Sequence, residues 1–260
     1  EMPSDSYMQM FRNEKHWHGL MTPGLINAHT HLQYTNMASV GRGEYRNFHD
    51  WEQGFNVVYD KLQEDKQKNP SLTTWKTSAY QGARMMVEAG TSAAADIVTD
   101  IEAVGALASQ GMHGIAYWEV MGWKNVDWKE EGYAKLLEML GQMMNNGSIP
   151  SIGISPHAPY SLETEPFVDL PDIARQLNMR LHIHLAETPM EAGNHADTLT
   201  TYSAPDWNSN VWESYSELKS HGMTASAIQF LDQLGSLGPD VHIAHGVWAD
   251  GEDRRILRQR

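Results

Sequence analysis

The sequence contains no cysteine in 260 residues. That absence excludes a disulfide framework, a thiolate zinc site, an iron–sulfur cluster and a cysteine nucleophile. It also excludes the deaminases whose zinc is held by cysteines. No run approaches the roughly 20 consecutive apolar residues of a membrane span. The first residues, among them Glu1, Pro3, Ser4 and Asp5, lack the basic-then-apolar order of a secretory leader. Basic residues are scarce, with Lys+Arg 19 against Asp+Glu 33 and a formal net charge of −14. Such a surface repels phosphate backbones and anionic lipid. The expectation is a cytoplasmic protein whose partner is a small-molecule substrate, with neither nucleic acid nor membrane, and with a homodimer as the oligomeric form to test.

What is present points to a folded protein. Apolar residues make up 41% and 21 glycines add to them, a balance that supports a core rather than disorder. The length suits one or two domains, or a single barrel of about 250 residues. Histidine is plentiful at 13, and imidazole is the side chain that most often ligates metals.

Short apolar segments alternate with longer amphipathic ones. Residues 25–29, 92–98, 114–120, 151–155, 181–185 and 241–244 are rich in Ile, Val, Ala and Leu and mostly do not alternate, as strands buried on both faces do not. Between them, residues 51–67, 72–89, 128–144, 165–177 and 211–234 read as helices, with Gly90 a C-terminal stop. This βαβα succession predicts an α/β fold with a parallel sheet, closed or open. The segment 193–210 is polar and loop-like, and Asn146-Gly147-Ser148 matches the glycosylation pattern by chance, since no secretory leader accompanies it.

Four strand ends carry histidines. In PGLINAHTHL (23–32), an apolar strand runs into His29-Thr30-His31; residues two apart share a face, and two neutral imidazoles held that way suit zinc or ferrous iron. In LHIHLAET (181–188), His182 and His184 share a face, and Glu187 follows where the strand meets its loop. A carboxyl there can shuttle protons to and from a metal-bound water without being a ligand. His182 lies deeper and reads as packed and hydrogen-bonded. In GISPHAPYSLE (153–163), Pro156 and Pro159 end ladder pairing and present His157 rigidly at the strand mouth. In VHIAHGVWAD (241–250), His245 ends a strand, while His242 reads as structural and facing the opposite side. Histidines at the C-terminal ends of four strands occupy the position where α/β barrels and open sheets build active sites.

These motifs, in this order, resemble the amidohydrolase superfamily from about residue 21 to residue 260, in its mononuclear-metal aminohydrolase (deaminase) branch. The wording HTHLQYT (29–35), AAADIVTD (93–100) and YWEVMGW (117–123) is similar to aminodeoxyfutalosine deaminases of menaquinone biosynthesis. The resemblance implies a distorted (β/α)8 TIM-type barrel, here reaching only strand 6. It implies His29, His31 and His184 as metal ligands, Glu187 as proton shuttle, His157 orienting the substrate, and His245 hydrogen-bonded to the attacking hydroxide. Binuclear relatives carry a carboxylated Lys or a Glu on strand 4, where this chain has His157, so one divalent ion is implied, Zn2+ before Fe2+. Hydroxide would add to the amidine-like carbon of an aminated purine-like or nucleoside-like heterocycle, Glu187 would protonate the ring nitrogen, and ammonia would leave. 6-Amino-6-deoxyfutalosine is the narrowest substrate expectation.

The same resemblance calls for an Asp at the end of strand 8, downstream of His245. Neither Asp250 nor Asp253 substitutes, because Asp250 sits where a helix is capped, ahead of Gly251, Glu252 and Asp253. Residues 1–20 are expected to be unstructured or the remnant of a small β-sandwich, and residues 21–260 to be strands 1 to 6 of the barrel. A fragment of a longer protein, of about 400 residues or more, is the reading that follows. A hydrolase of another leaving group, of the triazine or chlorohydrolase type, would use the same residues, and a catalytically inactive metal- or ligand-binding barrel is the rival from another class. Among substrate contacts, Glu119 can grip ring N–H groups from the end of strand 3. Trp123, Tyr34, Trp51 and Tyr160 can stack on or hydrogen-bond a heterocycle.

Overall fold

The computed structural model describes residues 18–145, 151–193, 214–220 and 222–260. The expectations for residues 1–17, for the 146–148 triplet and for most of the 193–210 loop lie outside the described residues. Six strands form one sheet in the order of the sequence: β1 (Leu25–Thr30), β2 (Thr91–Val98), β3 (His113–Val120), β4 (Ile152–Pro156), β5 (Leu181–Leu185) and β6 (Val241–His245). Every neighbouring pair is parallel, as non-alternating apolar strands separated by helices require.

The crossovers are helical. α1 (Phe48–Lys68) and α2 (Thr74–Glu88) join β1 to β2, α3 (Ala106–Ser109) precedes β3, and α4 (Asn125–Asp127) and α5 (Tyr133–Asn145) precede β4. α6 (Thr164–Gln176) leads to β5, and α7 (Tyr215–Ser220) and α8 (Ala227–Gln233) lead to β6, after which α9 (Gly251–Gln259) begins. Local chemistry sets several boundaries. Asn47 caps α1 by accepting the Asp50 amide. Gly90, at φ +87°, takes the left-handed turn that ends α2.

Two helix readings change. The expected helix 128–144 opens as a π-helical turn, Trp128–Gly132, before α5 begins. The expected helix 211–234 is two helices where described. Gly222, at φ +94°, turns the chain, and Ser226 starts α8 with a capping box to Gln229.

The main core fills the space between the sheet and its helices. Ala79 and Ala83 of α2 share one buried cluster with Ala94 and Val98 of β2, Leu136 and Leu140 of α5, and Phe167 and Leu170 of α6. Small residues on both sides of the α2–β2 contact let the backbones approach closely. A second cluster gathers Met37, Val40 and Trp75 beneath Tyr34, Phe55 and Tyr59.

The sheet is strongly curled. In a flat sheet β1 and β5 would stand about 19 Å apart, four spacings of about 4.8 Å. Instead, His29 of β1 and His182 of β5 approach to 3.0 Å. The curl turns the C-terminal ends of β1, β3, β4, β5 and β6 toward one centre, in the manner of a barrel. No described helix is long and apolar enough to cross a membrane.

Candidate metal centre

The curl brings His29, His31 and His184 together. One donor atom from each lies within 4.8 Å of the others. His31 Nε2 and His184 Nε2 stand 3.2 Å apart, close to the ~3.3 Å edge of a tetrahedron with metal–nitrogen bonds of about 2.0–2.1 Å. Burial holds the imidazoles unprotonated, the state a metal requires. The His29 ring is pushed down to about 4, by burial and then by His245. His31 and His184 fall well below the usual histidine value for the same first reason, with neighbouring imidazoles adding to it. His31 Nδ1 is buried without a hydrogen-bond partner. Glu119, His157 and His184 form a second, overlapping donor group.

Glu187 sits beside the cluster. Its Oε2 accepts from the Tyr160 hydroxyl at 2.9 Å, and its Oε1 lies 3.4 Å from His245 Nε2. The His245 ring lies 5.3 Å from that of His29 and 5.5 Å from that of His184. His157 follows β4, its Nδ1 2.7 Å from Ser161 Oγ and its ring 4.9 Å from that of His184. Its carbonyl faces His184 Nδ1 at 3.2 Å. Glu119, on β3, points an unpartnered buried Oε1 toward His184 Nδ1, 3.9 Å away. Burial, and then the charge of Glu187, push the Glu119 carboxyl up to about 8.

The aromatic candidates divide. Tyr34 stacks on His31 with ring centres 5.6 Å apart. Tyr160 touches Glu187 and packs edge-on to His157. Trp51 lies along α1 between Phe48 and Phe55. Trp123 stands away from the imidazoles: it packs on Trp128, under Lys135, at the wall of a cavity of about 280 Å³ that also reaches Glu119. Asp250 caps α9 by accepting the Asp253 amide, the role its sequence context predicts.

Two features were not anticipated. Glu191 is fully buried and accepts the backbone N–H groups of Ala186, Glu187 and Thr188. It thereby holds the loop that carries Glu187. The trace it leaves in the sequence is Thr188-x-x-Glu191, a capping box. The other is backbone strain. Ala186 and His245, at φ +53° and +72°, occupy the left-handed region that side-chain-bearing residues rarely adopt. His242 lies beside Tyr117 and His182.

Comparison with known proteins bears on the family and the fold. The profile of the Amidohydrolase family matches residues 20–260. The 5-methylthioadenosine/S-adenosylhomocysteine deaminase of Thermococcus kodakarensis is 27% identical over 92% of this chain and 49% of its own length. The chain thus spans about half the length of the curated relatives it matches. Among solved structures, an adenosine deaminase from Xanthomonas campestris with bound zinc superposes with a TM-score of 0.62 at 19% identity, over 92% of this chain and 47% of that one. Helicobacter pylori aminofutalosine deaminase, in complex with methylthio-coformycin, superposes at 0.60 and 16% identity, over 92% and 53%.

Proposed function

This chain belongs to the amidohydrolase family, and from that premise we propose that it carries most of the centre of a metal-dependent hydrolase that deaminates an adenine-like nucleoside. The observation that carries the proposal is the convergence of His29, His31 and His184 with Glu187 and His245. The deaminase names of its relatives support the reaction. The aminofutalosine neighbour supports 6-amino-6-deoxyfutalosine, and so menaquinone biosynthesis in the cytoplasm, as the narrowest form of it.

His29, His31 and His184 would hold one divalent ion, Zn2+ ahead of Fe2+. Bound there, the ion would supply a nucleophilic hydroxide at neutral pH and Lewis acidity. The chain's own residues supply the rest. Glu187 gives a proton to the ring nitrogen as oxygen adds to the amidine-like carbon, and then passes the proton of that added O–H to the amino group, which leaves as ammonia. His245, 3.4 Å from Glu187 Oε1, orients that carboxyl and the attacking oxygen. His157 and Glu119 line the heterocycle's place, and Glu119, which burial raises to about 8, can donate to a ring acceptor when protonated. Trp123 borders the cavity beyond Glu119, where a substituent on the heterocycle would lie.

Ammonia release by the zinc-loaded protein tests this directly. Adenosine, 5′-deoxyadenosine, methylthioadenosine, 6-amino-6-deoxyfutalosine and an aminated triazine form the panel. At least one nucleoside is expected to turn over, and Glu187→Gln is expected to lower kcat by about 100-fold or more while retaining zinc. One bound zinc with no ammonia from any member would favour an inactive binding barrel, and turnover of the triazine alone would favour another leaving group.

A further inference from the structure

We propose that His182 is a positioning residue for the metal, fixing the tautomer and ring plane of His29; the proposal rests on reading His29 as a ligand. His182 is buried at 2% exposure, and its ring lies parallel to that of His29, 5.1 Å away and 14° from coplanar. Tyr117 covers it at 5.0 Å. Its Nε2 lies 3.0 Å from His29 Nδ1.

An imidazole binds a metal through one nitrogen and carries its proton on the other, where a fixed acceptor sets both the tautomer and the ring orientation. With Nδ1 engaged by His182, His29 presents Nε2 to the metal. His29 Nδ1–H then donates to His182 Nε2, and His182 must hold its own proton on Nδ1.

That nitrogen is buried and has no partner. A leucine or phenylalanine would fill the same space without an orphaned donor, so packing alone does not account for an imidazole here. An acceptor aimed at His29 does. His184 has its counterpart in the His157 carbonyl, 3.2 Å from its Nδ1. His31 Nδ1 has no such partner. His182 thus anchors the β1 side of the centre as the His157 carbonyl anchors the β5 side.

The test is zinc affinity by competition with a chromophoric chelator, together with the visible spectrum of the cobalt(II) form. The full chain, His182→Gln, His182→Leu and His29→Ala are compared. His182→Gln, whose carboxamide oxygen can accept from His29, is expected to stay within a few-fold of the unaltered chain. His182→Leu is expected to bind zinc about 10–100-fold more weakly and to alter the cobalt spectrum. Loss of stoichiometric zinc from both His182 variants would make His182 a ligand and overturn the proposal, as would unchanged affinity in His182→Leu. Full zinc retention by His29→Ala would instead overturn the reading of His29. Imidazole nitrogen NMR on the zinc-loaded, unaltered chain needs no variant to fold: His29 as the Nδ1–H tautomer supports the proposal, and His29 protonated at Nε2 overturns it.

Discussion

Tyr160 shows how one hydroxyl can separate a catalytic support from a substrate contact. Its O–H donates to Glu187 Oε2 at 2.9 Å, so the phenol holds the carboxyl while its ring packs against Phe48 and His157. Tyr160→Phe keeps the ring and removes the hydrogen bond. It is expected to lower kcat by about tenfold with little change in KM, because an interaction that orients a proton carrier matters in the transition state. Steady-state kinetics decide the matter, and a rise in KM alone would make Tyr160 a substrate contact. Asp96 offers a test by pH. It is buried on β2 and accepts the Leu32 amide at 2.9 Å. Burial pushes its carboxyl from 3.8 to about 8, against that hydrogen bond. Between those values the unfolded chain has released a proton that the folded chain keeps, so stability falls as pH rises from about 4 to about 8. Asp96→Asn keeps the acceptor and removes the ionisation. Its unfolding free energy in urea titrations is expected to gain on that of the unaltered chain across that window, by at most about 1.4 kcal/mol per pH unit. A difference that does not vary with pH would overturn the assignment. At this scale the sequence was informative where spacing encodes geometry, as in His29-x-His31 and His184-x-x-Glu187. It was least informative for Glu191, whose role depends on burial and three backbone amides that only the fold brings together.

The strands were legible almost to the residue because buried parallel strands are short, apolar and bounded by turn residues. The expected 181–185 is β5 itself, and β6 extends one residue further to include His245. The long helix expected over 211–234 was not legible as two, since its apolar periodicity continues across a break set by Gly222 and the Ser226 cap. Gly114 shows what periodicity leaves out. It reads as an ordinary first residue of a strand, yet it lies at φ +134° and a Cβ there would meet the Ala94 carbonyl oxygen at 1.9 Å. The β2–β3 pair can form only without a side chain at that point. Gly114→Ala is therefore expected to cost about 3 kcal/mol or more and to lower the thermal midpoint by on the order of 10 °C. Gly141 on α5 is the control: nothing lies within 4 Å of its Cβ position, and Gly141→Ala is expected to be neutral or stabilising by about 0.4–1 kcal/mol. Differential scanning calorimetry compares the two, and equal midpoints would contradict the close approach.

Across the whole molecule, the candidate centre joins elements that the sheet keeps apart. β1 and β6 are the outer strands of the described sheet, and exposed apolar side chains stand near both: Leu25 and Ile26 on β1, and Val247 after β6. Nothing in the backbone ladder ties β1 directly to β5. The imidazoles do, with His29 and His31 on one side and His184 on the other. A divalent ion held by the three would therefore cross-link residues about 150 positions apart in sequence and close the curl. It would bind the folded chain alone, since the unfolded chain holds no such arrangement, and its binding energy would appear as stability. With free zinc at about 100 times its dissociation constant, the gain is about 2.7 kcal/mol, or about 5–10 °C in thermal midpoint for a chain of this size. A chelator should reverse it. His184→Ala removes the β5 side of the bridge and should abolish the zinc-dependent increment; losing its buried ring and its contact with the His157 carbonyl is expected to lower the midpoint equally with and without zinc. Melting curves with and without zinc measure both effects, and an increment that survived His184→Ala would place the ion on other ligands and undo the cross-link across the curl.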